Sequence, residues 1–272
     1  MRFLLDQPFG AWDLETTSVD VEDARIVTAC TALMQPAEPL WQQRIESHLA
    51  AVEVDIPAEA TAIHGITTDF AKQYGERPDY VIKEVVFRLA EMMLARFPIV
   101  GMNLAYDFTV LDRECRRHNV PTLTEVLGAD LEGVVDIYVL DKWLDPYRPG
   151  GRKLTDLIQF YGVRHDGAHD STSDALAAAR VAYRMAQVSQ QAHDAVTQFF
   201  RSQGRRQPQE IADRFDLLGA LGLATLHERQ AVWRYQQQES LREYLIKKGE
   251  RNPDCDPHWP VRPYTGEVSH GT

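Results

Sequence analysis

The strongest constraint on this chain's fold is a gap too short to hold a helix. Phe9-Gly10-Ala11-Trp12-Asp13-Leu14 reads as a short buried strand, and residues 25–34, rich in β-branched and apolar side chains, read as a second. The link between them, which contains Thr17-Ser18-Val19-Asp20, leaves no room for the crossover that a parallel pair needs. The two strands must therefore run antiparallel, and a third over residues 43–54 extends them into a meander.

The pattern then changes. Pro57 opens a short helical stretch that ends near His64-Gly65. Residues 78–97 place Val81, Val85, Val86, Leu89, Met92 and Met93 at helical spacing behind Pro78, a residue suited to a first helical position. A strand over residues 97–102 leads into a helix reaching about His118. Another strand follows near Val134-Val135-Asp136-Ile137, then helices over about 136–144, 153–161 and 173–191. A meander followed by alternating strands and helices predicts an α/β chain with a mixed sheet: a three-strand antiparallel meander, then parallel strands, flanked by helices. That is the order of a ribonuclease H-like fold. Gly204-Arg205-Arg206-Gln207-Pro208 marks the expected boundary, with one domain over residues 1–200 and a mainly helical extension over 201–272. The extension holds one long helix over 223–248 with Trp233, Tyr235 and Tyr244, whose rings are expected to pack, and a proline-rich irregular end.

Composition excludes several classes. With 44% hydrophobic and 25% charged residues the chain is an ordinary globular one, and no run approaches the ~18 apolar residues of a membrane span. Met1-Arg2-Phe3-Leu4-Leu5-Asp6 is too short and too soon acidic for a signal peptide, so a cytoplasmic protein without membrane attachment is expected. Cys30, Cys115 and Cys255 form no CxxC pair, which argues against a zinc site or a disulfide framework. The net charge of −11 is uneven: residues 1–200 carry 18 basic and 30 acidic side chains, residues 201–272 carry 11 and 10. Some of the excess carboxylates could hold divalent cations, whose charge inverts the local field.

Two carboxylates stand out. Asp13 and Glu15 are two apart at the end of an apolar strand, so they project from one face, where burial is costly unless something neutralises them. Magnesium and manganese prefer such oxygen ligands. Asp107 follows a later strand in Asn103-Leu104-Ala105-Tyr106-Asp107-Phe108, in the first turns of a helix. Asp174 enters the late helix in His169-Asp170-Ser171-Thr172-Ser173-Asp174, where one of the three hydroxyl residues is expected to cap.

Taken in order, these motifs resemble the DEDDh, or DnaQ-like, family of 3′→5′ exonucleases. The resemblance covers roughly residues 8–190 and rests on Asp13-Leu14-Glu15-Thr16-Thr17, Ile63-His64-Gly65-Ile66-Thr67, Asn103 to Phe108, and His169 to Ala175. Thr17 stands where many relatives have glycine and Ser171 where alanine is usual, and Asp170 adds a negative charge beside His169.

The resemblance implies metal-dependent hydrolysis of phosphodiester bonds with two divalent cations, Mg²⁺ or Mn²⁺, about 4 Å apart. Asp13 would bridge both, Glu15 and Asp174 would hold the one that activates water, Asp107 would serve the other, and His169 would be the general base. Thr16, Thr17, His64, Asn103 and Phe108 are candidates for contact with the terminal nucleotide. Core packing is the competing reading for Phe108, and a capped turn for His64. The expected partner is a nucleic acid with a free 3′ end. The expected reaction releases nucleoside 5′-monophosphates from single-stranded DNA. An exoribonuclease and a non-catalytic binding module of a replication assembly are the alternatives. The extension leaves room for a polymerase, helicase or clamp partner and for a homodimer, and the acidic domain suggests a distributive enzyme.

Overall fold

The computed structural model describes residues 1–37, 41–165 and 170–266. A short helix α1 (Phe3–Asp6) precedes the meander β1 (Phe9–Thr16), β2 (Ile26–Gln35) and β3 (Gln42–Leu49). Helices α2 (Ala58–His64), α3 (Thr68–Tyr74) and α4 (Pro78–Leu94) lead to β4 (Ile99–Gly101), α5 (Leu104–Arg117) and α6 (Leu123–Leu127). Then come β5 (Val134–Asp136), α7 (Ile137–Leu144), α8 (Leu154–Tyr161) and α9 (Ser171–Val188). Helix α10 (His193–Ser202) crosses the expected boundary at residue 200, and the extension adds α11 (Pro208–Ala220) and α12 (Leu223–Lys247).

The five strands lie in the order β3-β2-β1-β4-β5, with β1, β2 and β3 antiparallel and β4 and β5 parallel to β1. The mixed sheet expected from the short first link is present. The third strand is shorter than its expected span: it ends at Leu49, where the backbone pairs instead with Glu76, whose N–H bonds the Leu49 carbonyl at 2.7 Å and whose carbonyl accepts the Ala51 N–H at 2.7 Å, while Val52 and Ile56 are buried. The register sets Asp13 opposite Cys30 and Glu15 opposite Thr28, and it shifts between Glu15 and Thr16, which bends the strand where its carboxylates sit.

Helix α4 begins with Pro78 and buries Val81, Val85, Val86, Leu89, Met92 and Met93, the residues its periodicity marked. Helix α9 lies across β1 and β2 and buries Ala175, Ala178, Val181, Ala182 and Met185; small residues let it approach the sheet closely. Its cap is Asp170 rather than Ser171, Thr172 or Ser173, and the Asp170 carboxylate accepts from the Ser173 N–H at 3.1 Å. A carboxylate is the stronger acceptor there and favours the positive end of the helix.

The extension is packed into the sheet edge. Trp233 stacks on Trp143 with ring centroids 4.0 Å apart, whereas Tyr235 and Tyr244 are more than half exposed, so one of the three aromatic residues expected to pack does so. Gln230, with no solvent exposure, replaces a neighbouring strand: its carbonyl accepts from the Asp136 N–H at 2.8 Å and its amide donates to the Val134 carbonyl at 2.8 Å. No helix among the described residues is long and apolar enough to cross a membrane.

Candidate active site

Asp13 and Glu15 project from one face at the C-terminal end of β1, and the first turn of α9 brings Asp174 against them. One carboxylate oxygen from each lies within 4.8 Å of the others. Asp107 approaches from α5 and is only 4% exposed. Strand β4 pairs with β1 only as far as Ala11 and Val100, so the N–H of Leu14 has no strand partner on that side. The Asp107 carboxylate accepts it, which ties the helix to the strand that carries Asp13 and Glu15.

The electrostatics are those of a site built for a cation. Burial pushes the Asp13 carboxyl well above the usual carboxylate range, and Asp107, Glu15, Asp174 and Asp170 each push it further. Glu15 is raised to about 7, by burial first and then by Asp174 and Asp170. Asp107 is also raised, by burial above all. The neighbouring charges that act most strongly on Asp13 and Glu15 are all carboxylates. Clustered oxygen donors that repel one another fit a divalent metal ion.

Several groups around the carboxylates were not singled out by sequence. His165 places Nε2 3.0 Å from Asp174 Oδ1. Tyr106 directs its hydroxyl to the Ser18 carbonyl and the Thr16 hydroxyl, fixing the chain just beyond Glu15. Asp136, fully buried, accepts N–H groups from Asn103 (2.9 Å), Leu104 (3.0 Å) and Tyr138 (3.0 Å). It thereby holds the start of α5 as well as that of α7. The signal for Asp136 was present in sequence, an aspartate at a strand end just before a helix, but its grip on a second helix depends on the fold.

The expected nucleotide-contact residues are placed unequally. Thr16 lies beside the carboxylates with its hydroxyl turned to the Ser18 carbonyl at 3.0 Å. Thr17 is buried, and its hydroxyl accepts the Arg25 N–H at 3.0 Å, closing the β1–β2 link. His64 ends α2 before Gly65, whose φ of 78° turns the chain. Its Nδ1 accepts the Ile66 N–H at 3.1 Å, so the ring proton is on Nε2, a buried atom with no partner among the described residues. Asn103 adopts the left-handed conformation, φ 59°, that starts α5. Phe108 is 2% exposed and packs on Trp12 at 4.8 Å, so core packing is its role here; a base cannot stack on a ring so enclosed. His169, expected as the base, lies outside the described residues.

Comparison with known proteins adds a family. Residues 11–182 match the profile of a family described as exonuclease. No curated protein sequence matches the chain. Among solved structures, an exonuclease I from Methylocaldum szegediense is similar with a TM-score of 0.52 and 19% identity, over 66% of this chain and 40% of that one. The E. coli exonuclease I, described in complex with single-stranded DNA and zinc, gives 0.55 and 19% over 70% and 43%. At this identity the likeness is one of fold, and the chain spans about two fifths of those proteins' length.

Proposed function

The chain belongs to the exonuclease family, and from that premise we propose that it removes nucleotides one at a time from the 3′ end of single-stranded DNA, releasing nucleoside 5′-monophosphates. The observation that carries this reading is the convergence of Asp13, Glu15 and Asp174 from a strand and a helix, with Asp107 buried beside them. The DNA preference is supported by the exonuclease I structures of the same fold, which are described with single-stranded DNA bound.

Family dependence on divalent metal agrees with the acidic cluster. Asp13, Glu15 and Asp174 would hold one cation, and Asp13 with Asp107 a second, either Mg²⁺ or Mn²⁺. Bound there, the cations supply charge neutralisation at the phosphate and lower the pKa of water. The residues of the chain do the rest. His169 accepts a proton from the attacking water, whose oxygen bonds to phosphorus as the P–O3′ bond breaks. The departing 3′-oxygen takes up a proton and remains on the shortened strand. His64 would contact the terminal nucleotide as the family resemblance implies, and the backbone at Thr16, steadied by Tyr106, would line the C-terminal end of β1. The extension, outside the family profile, would then serve this site or dock a replication partner.

The test is a gel assay on 5′-labelled single-stranded DNA and RNA of one sequence, with Mg²⁺, Mn²⁺ or EDTA. A ladder of shortened, still-labelled DNA that needs metal and disappears in Asp13→Ala is expected. Faster cleavage of RNA would overturn the DNA preference. No product with either metal would overturn the enzymatic reading.

A further inference from the structure

The buried carboxylate of Asp136 is the hinge of this inference. It is not among the clustered carboxylates, yet it accepts the N–H groups of Asn103 and Leu104, the residues from which α5 departs. Asp107 is the fourth residue of that helix. The position of the Asp107 carboxylate therefore depends on how firmly Asp136 is held.

Asp136 is held from the C-terminal extension. Its backbone N–H is taken by Gln230 at 2.8 Å. Its Oδ2 accepts the indole N–H of Trp259 at 3.3 Å. Arg234, 6% exposed, favours its charged form, which burial alone would disfavour. Trp259 is itself seated against the His227 ring at 4.8 Å. Past Trp259 the chain continues along α5: the Arg262 N–H bonds the Thr109 hydroxyl at 3.0 Å, and Arg113, fully buried, donates to the carbonyls of Arg262 and Pro263 at 3.2 and 3.0 Å. Tyr264 covers Arg116 at the far end of the helix. Gln230, Arg234 and Trp259 all lie beyond residues 11–182, the span of the exonuclease profile.

A buried carboxylate that lost its indole donor and the favourable field of the nearby guanidinium would be less well held in a low-dielectric site. Relief would come by protonation or by movement, and either weakens its hold on two backbone N–H groups. We infer that Trp259 is a positioning residue for metal binding, acting through Asp136 on the Asp107 carboxylate, with the buried charge of Arg234 in support. This rests on the reading of Asp107 as a metal ligand.

The test is Mn²⁺ binding to the full-length protein without nucleic acid, followed by the paramagnetic resonance signal of free Mn²⁺. Trp259→Phe with Arg234→Met is expected to weaken binding about ten-fold, the low end for groups that support metal ligands. Arg234→Lys, which keeps the charge, should retain most of the affinity. In an Asp107→Asn background the same pair should change nothing further, because residues acting through one group are not additive. Tyr264→Ala, which loosens the tail far from Asp107, should leave Mn²⁺ binding intact and so separates positioning from general stability. Unchanged affinity in Trp259→Phe/Arg234→Met, full additivity with Asp107→Asn, or an equal loss in Tyr264→Ala would each overturn the inference. Wild-type protein that binds no Mn²⁺ would overturn the metal reading, and the positioning role with it.

Discussion

Four carboxylates act on Asp13, and burial removes water that would screen them. Asp13→Asn should therefore do two opposite things. Cleavage should fall by about 10³-fold or more, as for other indispensable catalytic groups. The metal-free protein should melt about 2–4 °C higher, the shift that ~1 kcal/mol gives a chain of this size. A variant both inactive and less stable would show that Asp13 is needed for folding. Glu15 makes a second prediction, with its sign fixed by linkage. Its folded carboxyl titrates at about 7, above the usual 4.5, so between those values the folded state binds more protons than the unfolded one. Stability is fully present below about 4.5 and is lost as pH rises through about 7. Thermal melts of metal-free protein across that window should show the loss, Mg²⁺ should reverse it, and Glu15→Gln should flatten the slope. These residues were legible because a strand's period of two is written in the sequence: Asp-x-Glu puts both carboxylates on one face whatever the fold. His165 and Tyr106 were not legible, because their partners Asp174, Thr16 and Ser18 lie on other segments, and only packing brings them together. Phe108 was ambiguous for the same reason, since a phenylalanine in the second turn of a helix looks alike whether it meets a base or Trp12.

At the scale of elements, the parts that periodicity governs were readable and the parts that tertiary contacts govern were not. Helices α4, α7 and α8 appear close to where apolar spacing put them. Helix α11 begins at Pro208, where the expected boundary ends, and its Ile211, Phe215 and Leu218 lie at helical spacing. Helix α10 gave a weaker signal, with only Val196, Thr197 and Phe200 turned inward. The role of α12 could not be read at all: a glutamine in a long polar helix gives no hint that its amide completes a sheet edge. That role is testable. Gln230→Ala would leave the Val134 carbonyl and the Asp136 N–H unpaired in the interior, each costing about 1–3 kcal/mol. Urea unfolding should show a loss of about 2–4 kcal/mol with an unchanged denaturant slope. A loss below about 0.5 kcal/mol would mean that water or another side chain takes over both bonds.

The whole molecule sets a further condition on how the site meets its substrate. The chain carries a net charge of −11, and the deficit lies in residues 1–200, which also hold the carboxylate cluster. A nucleic acid approaching that surface meets a net repulsion, which divalent cations at the carboxylate cluster invert locally. Proteins that track a phosphate backbone with many cationic side chains release counterions, and their affinity falls steeply with salt. This chain should behave in the opposite way. Repulsion between exposed like charges is screened over about 10 Å at 0.1 M ionic strength, so added salt should ease the approach of the strand. At saturating Mg²⁺, kcat/KM on a long single-stranded oligonucleotide should stay level or rise between about 10 and 100 mM potassium chloride. The acidic balance of residues 1–200 implies release after few cleavages, so an excess of unlabelled DNA added after the reaction starts should stop the shortening of labelled strands within a few nucleotides. Removal of hundreds of nucleotides per encounter, with a rate that drops about a hundred-fold over that salt range, would show instead that the strand is gripped by a cationic path, for which Arg201, Arg206, Lys247 and Arg251 on the exposed face of the extension would be the first residues to replace.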